Sequence, residues 1–209
     1  MENTTQLRDW QELAQDSQIE QTAKALEANG MTAIIVNTGD EARQKVLELV
    51  PEGSEVFTAT SATLAATGIA EAINESGRYK SVRKTMMTLN RETQFLDMRR
   101  LGSTPEYVLG SAHAVTEQGY VLVASFGGSQ IPAYVYGAGK VIWVIGINKI
   151  VKNLDEGFRR IEEHSLLLES ERLQKALGRS SDIGKILVVR KEVMAGRITV
   201  LLVKEKLGF

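Results

Sequence analysis

The chain has 209 residues, 43% of them hydrophobic and 24% charged, with a formal net charge of −1. That length can bury a core without covalent staples, and near-neutral charge gives no basic excess to hold a phosphate backbone, which argues against nucleic acid as the main partner. Cysteine is absent, so disulfides, thiolate metal sites, iron–sulfur ligation by this chain and cysteine nucleophiles drop out together, and no metal site is expected.

The first ten residues are polar and lack the basic-then-apolar pattern of a secretory leader. The longest apolar runs, such as 141–145, fall far short of a membrane span. A cytoplasmic protein with no membrane partner is the expectation.

Taken in chain order, residues 5–29 read as a helix, with Leu7, Trp10, Ala14, Ile19, Ala23 and Leu26 at near-helical spacing and Gly30 as its stop. Residues 31–36 form a short apolar strand. Thr38 and Glu41 have capping-box spacing ahead of a helix that buries Ala42, Val46 and Leu49 and ends at Pro51. A strand follows at 55–60, and then a helix from Ser61 using Leu64, Gly68, Ile69 and Ala72. Residues 80–84 suggest a short strand, and 91–101 a charged helix with Phe95, Leu96 and Met98 to bury. Strands are expected at 107–112 and 120–126 with a loop between them. Gly127-Gly128 turns into a short helix at 129–136, where Pro132 suits the first turn. Residues 140–146 form a fully apolar strand. Asn153 and Glu156 repeat the capping spacing and open a long helix with Leu154, Phe158, Ile161, Ser165 and Leu168 on one face. Residues 185–190 and 197–203 are β-rich around Gly196 and read as a terminal hairpin.

Strands alternating with helices mean βαβ units. The expected fold class is α/β: a mainly parallel, Rossmann-like sheet with helices on both faces and a C-terminal β-hairpin. One domain spans 1–209, with an N-terminal helix at 1–30, an α/β core at 31–176 and the hairpin at 183–209. In such sheets ligands collect beyond the carboxyl ends of strands, which singles out four loops. The first contains Thr60, Ser61 and Thr63, whose hydroxyls suit a phosphate or carboxylate and equally suit a helix cap. The second, Gly127, Gly128, Ser129 and Gln130, lets backbone approach a ligand, or is simply a tight turn. The third runs from Ser111 to Gly119. In it Glu117 is a base or nucleophile candidate or an exposed turn carboxylate, and His113 an acid–base candidate or a hydrogen-bonded, partly buried ring. The fourth holds Asn148 and Lys149, the lysine being a charge for an anionic ligand or a solvated residue before a helix. Four such loops at equivalent strand ends favour a shared cleft. Glu162-Glu163-His164 is not metal-like, because adjacent helical residues do not share a face.

Three stretches, 111–119 (SAHAVTEQG), 137–152 (GAGKVIWVIGINKIVK) and 196–209 (GRITVLLVKEKLGF), resemble the LUD-domain family, formerly DUF162, whose name comes from lactate utilisation. Pro51-Glu52-Gly53 ahead of 61–64 is similar to it as well, so the resemblance spans nearly the whole chain. It implies a fold similar to ribose-5-phosphate isomerase and CoA transferases. It further implies that Thr116-Glu117-Gln118-Gly119 is similar to the Ser-Glu-x-Gly signature in which the glutamate is a nucleophile, and that 60–63 lies where the isomerases bind phosphate. Some short members carry a cysteine cluster before the last strands, and 177–185 has none. The function implied is an accessory role in oxidising L-lactate to pyruvate beside iron–sulfur oxidoreductase subunits, binding a small anionic metabolite or a phosphate-bearing cofactor of unknown identity. The alternatives are a stand-alone isomerase or CoA-transferase-type enzyme using Glu117, and a non-catalytic interaction module whose apolar terminal hairpin packs on a partner. A homo-oligomer is left open, as is whether the cleft does chemistry.

Overall fold

The computed structural model describes residues 9–209. Six strands form one parallel sheet in the order β1-β10-β7-β4-β2-β3. They are β1 (Thr32–Val36), β2 (Glu55–Thr58), β3 (Lys80–Ser81), β4 (Tyr107–Gly110), β7 (Lys140–Gly146) and β10 (Ile198–Val203). A second sheet, β8-β5-β6-β9, is built from β5 (Ala114–Thr116), β6 (Val121–Ser125), β8 (Ile150–Val151) and β9 (Lys185–Val189). The helices are α1 (Asp16–Ala28), α2 (Gly39–Leu49), α3 (Ala62–Ala66), α4 (Ile69–Asn74), α5 (Val82–Thr88), α6 (Phe95–Ser103), α7 (Leu154–Arg160) and α8 (Leu166–Leu177).

The middle of the parallel sheet is buried on both faces. From Val141 to Gly146 every residue of β7 is buried, and in β10 only Thr199 is partly open. Continuous apolar strands of this kind are what helices on both faces demand. One core cluster gathers Val108, Val141, Trp143, Val200 and Leu202, while the opposite face presents Leu109, Ile142, Val144, Leu201 and Val203 to α2, α3 and α4. The alternation along each strand delivers its side chains to the two layers in turn.

Local chemistry explains the helix starts. Thr38 Oγ1 accepts from Glu41 N at 3.1 Å, and the Glu41 carboxylate reaches back to Asn37 N at 2.8 Å, one residue further out than a standard capping box. Asn153 accepts from Glu156 N at 3.0 Å and opens α7. From there the helix continues through a π turn at Ile161–Ser165 into α8.

Several expectations are corrected. β9 and β10 do not form a hairpin: β9 pairs antiparallel with β6, while β10 inserts between β1 and β7, parallel to both. The uniform burial of 198–203 is the physical reason, since a hairpin arm with one wet face would alternate. The first helix begins at Asp16, and Trp10 lies in a turn before it, buried against Ala114, Leu122, Val151 and Ile161. The part of that expected helix on residues 5–8 lies outside the described residues. The loop expected between two strands contains β5, paired to β6 and β8. The helix after Ser61 breaks at Gly68, whose φ of 68° ends α3 and restarts the chain as α4. Only Lys80–Ser81 of the expected 80–84 strand is extended, and α5 follows directly. Phe95 and Leu96 in α6 are exposed, at 53% and 58%, not buried.

Candidate functional site

Strands β7, β4 and β2 are consecutive neighbours and all parallel. Their carboxyl ends therefore lie on one edge of the sheet. The residues just beyond them are Lys149 after β7, Ser111 to His113 after β4, and Ala59 to Thr63 after β2. All of these line a single cavity of about 410 Å³, except Asn148 beside Lys149. The opposite wall comes from Ser125 at the end of β6 with Phe126, Gly127, Ser129 and Gln130 after it, from Glu169, Arg172 and Leu173 in α8, and from Arg179 and Ser181 to Ile183. The volume suits a small metabolite.

Lys149 sits at the centre of the strand-end wall. It is 1% exposed, which removes the solvated alternative of its two readings. Its Nζ lies 3.0 Å from Thr63 Oγ1, 3.1 Å from Ser111 Oγ and 3.1 Å from the Ala112 carbonyl oxygen. These are neutral oxygens, and no carboxylate among the described residues pairs with it. Burial, and secondarily the nearby Arg160 charge, pull its pKa well below the ordinary lysine range.

His113 lines the same wall. Its Nδ1 accepts from Ala124 N at 3.1 Å, so the neutral ring carries its proton on Nε2. Burial first, then the charges of Lys149 and Arg160, draw its pKa down to about 3. The ring is a hydrogen-bond donor at neutral pH. Arg160, fully buried, donates to the His113 carbonyl and to Ser165 Oγ and holds this loop from behind.

Further positive charge rings the cavity. Arg83 in α5 donates to Thr58 O at 2.7 Å and to Thr60 Oγ1 at 3.1 Å. Arg172 is bound at both ends by Glu169, at 2.7 Å each, and Arg179 adds another cation. The acidic side chains lining it are Glu169 and Asp182. With Glu169 engaged by Arg172, the balance is cationic.

Thr60, Ser61, Thr63, His113, Gly127, Ser129, Gln130 and Lys149 are thus brought together. Ser61 also caps α3 by accepting from Leu64 N at 3.3 Å. Four other residues do not line the cavity. Gly128 donates to Ser125 Oγ within its turn at φ 83°. Asn148 is buried and clamps the chain end, accepting from Leu207 N at 3.1 Å and donating to Gly208 O at 3.3 Å. Glu117 lies in the β5–β6 turn, where its Oε1 accepts from Gln18 Nε2 of α1 at 2.9 Å. Gly119, at φ 75°, lets that turn approach α1, and a Cβ there would fall 2.5 Å from the Ala25 carbonyl carbon. Sequence reasoning placed Ser111 in a candidate loop without giving it a role, and passed over Arg83, Arg172 and Arg179. Ser111 was recoverable, being the first residue beyond a strand end. Among the described residues, no group of three or more His, Asp or Glu is placed to hold a metal ion.

The family model described as the LUD domain matches residues 19–203, taking in the parallel sheet and every strand end of the cavity. The chain belongs to the LUD-domain family. A solved structure, described as a DUF162 family protein from Deinococcus radiodurans, is similar at a TM-score of 0.56 with 12% identity, over 92% of this chain and 99% of that one. At that identity the likeness shows the shared α/β fold of the LUD domain. No curated protein matches the chain. No helix among the described residues is long and apolar enough to cross a membrane.

Proposed function

We propose that this LUD domain binds a small anionic metabolite, or a phosphate-bearing cofactor, in the cavity beyond β2, β4 and β7. In that role it serves as an accessory component of L-lactate oxidation to pyruvate. Electron-carrying iron–sulfur subunits would be separate chains, since this one has no cysteine to ligate a cluster. The observation that carries the reading is Lys149: a buried amine on the cavity wall, faced by neutral oxygens and ringed by Arg83, Arg172 and Arg179. An anion entering there supplies the counter-charge that the fold withholds. It also raises the lysine's proton affinity, so binding takes up a proton.

Glu117 hydrogen-bonds Gln18 and does not line the cavity, so a CoA-transferase-type reaction in this cleft would need another nucleophile. The interaction-module alternative relied on an apolar terminal hairpin, and β10 is spent inside the sheet.

Thermal shift tests the reading. Inorganic phosphate, lactate, pyruvate, a sugar phosphate and a CoA ester are compared at equal ionic strength. A ligand at about 100 times its Kd stabilises by roughly 2.7 kcal/mol, or on the order of 5–10 °C for a chain of this size. The expected result is a shift for at least one anion that Lys149→Met abolishes. No shift with any of them overturns the assignment. Recovery of oxidoreductase subunits with the tagged chain is expected, and their absence overturns the lactate role.

A further inference from the structure

Ser111 and Lys149 stand in a relation that anion binding does not require. Ser111 is the first residue past β4, and both side chains line the cavity, with Oγ 3.1 Å from Nζ. Gly110 fixes the approach: a Cβ there would fall 1.8 Å from the Tyr134 hydroxyl, so β4 runs hard against the Tyr134 ring before releasing Ser111 into the cavity. We propose that Ser111 and Lys149 form a serine–lysine nucleophilic pair that accepts the acyl group of a small anionic ester or thioester.

Counting protons around Nζ supports the assignment. Once deprotonated, the amine has two protons to give and one lone pair to fill. The Ala112 carbonyl can only accept. The Thr63 hydroxyl spends its own proton on Leu207 O at 3.3 Å, so it too accepts from Nζ. Ser111 Oγ, which accepts from Nζ in the structure, is then the one partner with a proton left to turn toward the lone pair. The other acceptor in reach of the Ser111 proton, Ala112 O, is 3.4 Å away. The hydroxyl is thereby aligned on a base, which is the arrangement an oxygen nucleophile needs. Burial that disfavours the ammonium eases its deprotonation.

The step balances without any further reagent than the acyl substrate and water. Ser111 Oγ attacks the carbonyl carbon as Lys149 takes its proton. The oxyanion forms in a cavity lined by the neutral His113, whose Nε2–H has no partner among the described residues, and by cationic Arg83. The carbonyl then re-forms, the alcohol or thiol leaves with the proton from Lys149, and the acyl group stays on Ser111. Water, deprotonated by Lys149, releases the acid and restores the serine. The cations that hold an anion in the proposed function hold the substrate's charged end here, so the substrate class rests on that reading.

The experiment uses the full chain with 4-nitrophenyl acetate and a fluorophosphonate, followed by nitrophenolate release and peptide mass mapping. The expected result is a covalent adduct on Ser111 that Ser111→Ala eliminates. Lys149→Met should slow acylation about 10²–10⁴-fold, the range for loss of a general base. Wild-type acylation should rise with pH through a single ionisation below the ordinary lysine range. That profile stands in for the Lys149 variant should the variant fail to fold. An adduct elsewhere, equal labelling of Ser111→Ala, or a rate that rises only above about pH 10, where an ordinary lysine titrates, overturns the pair. Phosphate-induced stabilisation without a Ser111 adduct overturns the pair and leaves anion binding standing. A Ser111 adduct in a protein indifferent to phosphate supports the pair and removes the anion reading.

Discussion

Arg197 and Lys149 are both buried basic side chains, 3% and 1% exposed, and the fold furnishes them in opposite ways. Arg197, just before β10, pairs with Glu192 at 2.7 Å and donates to the carbonyls of Ala138, Ala133 and Tyr134 at 3.1, 3.1 and 2.9 Å. Its charge is neutralised and its fork filled, and it ties the 133–138 turn to the start of the last strand. Lys149 has only hydroxyls and a carbonyl about it, and it lies against a cavity. A cation completed by its own chain is part of the scaffold. One left without counter-charge at a cavity wall is part of a site, because it asks for something from outside.

Three substitutions probe that contrast, in descending size of effect. Glu192→Ala strands the Arg197 charge and should cost about 3–5 kcal/mol, the usual loss when one partner of a buried pair is removed. Urea denaturation reads it, and a cost below about 1 kcal/mol would mean the pair is not a scaffold element. Lys149→Met should behave otherwise. A lysine whose folded pKa is depressed contributes stability above its unfolded value of 10.5, and that contribution is lost as pH falls toward the folded value. Wild type should therefore lose stability as the pH falls below about 10.5, while Lys149→Met changes less over the same range. Equal slopes for the two proteins would place Lys149 with Arg197 as scaffold. The smallest effect is expected from Glu117→Gln, which retains an acceptor for Gln18 and should shift stability by less than about 0.5 kcal/mol. It should also leave the phosphate-induced thermal shift intact, and losing that shift would return Glu117 to the site.

What was legible in the chain differs between these regions for physical reasons. Strand β7 could be placed residue for residue, because a run apolar on both faces has few other fates. The strand-end rule found the cavity's loops because parallel topology puts carboxyl ends on one edge. The burial of Lys149 could not be read, since lysine next to Asn148 looks the same in sequence whether water or Thr63 receives its protons. Glu117 was singled out by a four-residue likeness, and only the β5–β6 turn shows that it points toward α1. Arg83 was hidden in an expected strand, and as part of α5 it reaches Thr60. Phe95 and Leu96 show the limit of periodicity: an apolar face can be recognised before anything shows what covers it.

The place of β10 has a bearing on the order of events during synthesis. Thr32 pairs with Thr199 and Val36 with Val203, so the second strand position is filled by a strand made after every other strand of the sheet. Until they emerge, β1 has no neighbour, and β7 is paired on one side only, against β4. The growing chain thus carries an apolar sheet edge until β10 has been made, a state open to the wrong partners. Closing the gap joins segments far apart in sequence, which makes it a slow step. The Asn148 clamp on Leu207 and Gly208 can engage only once that strand is home, so the cavity wall around Lys149 is finished last.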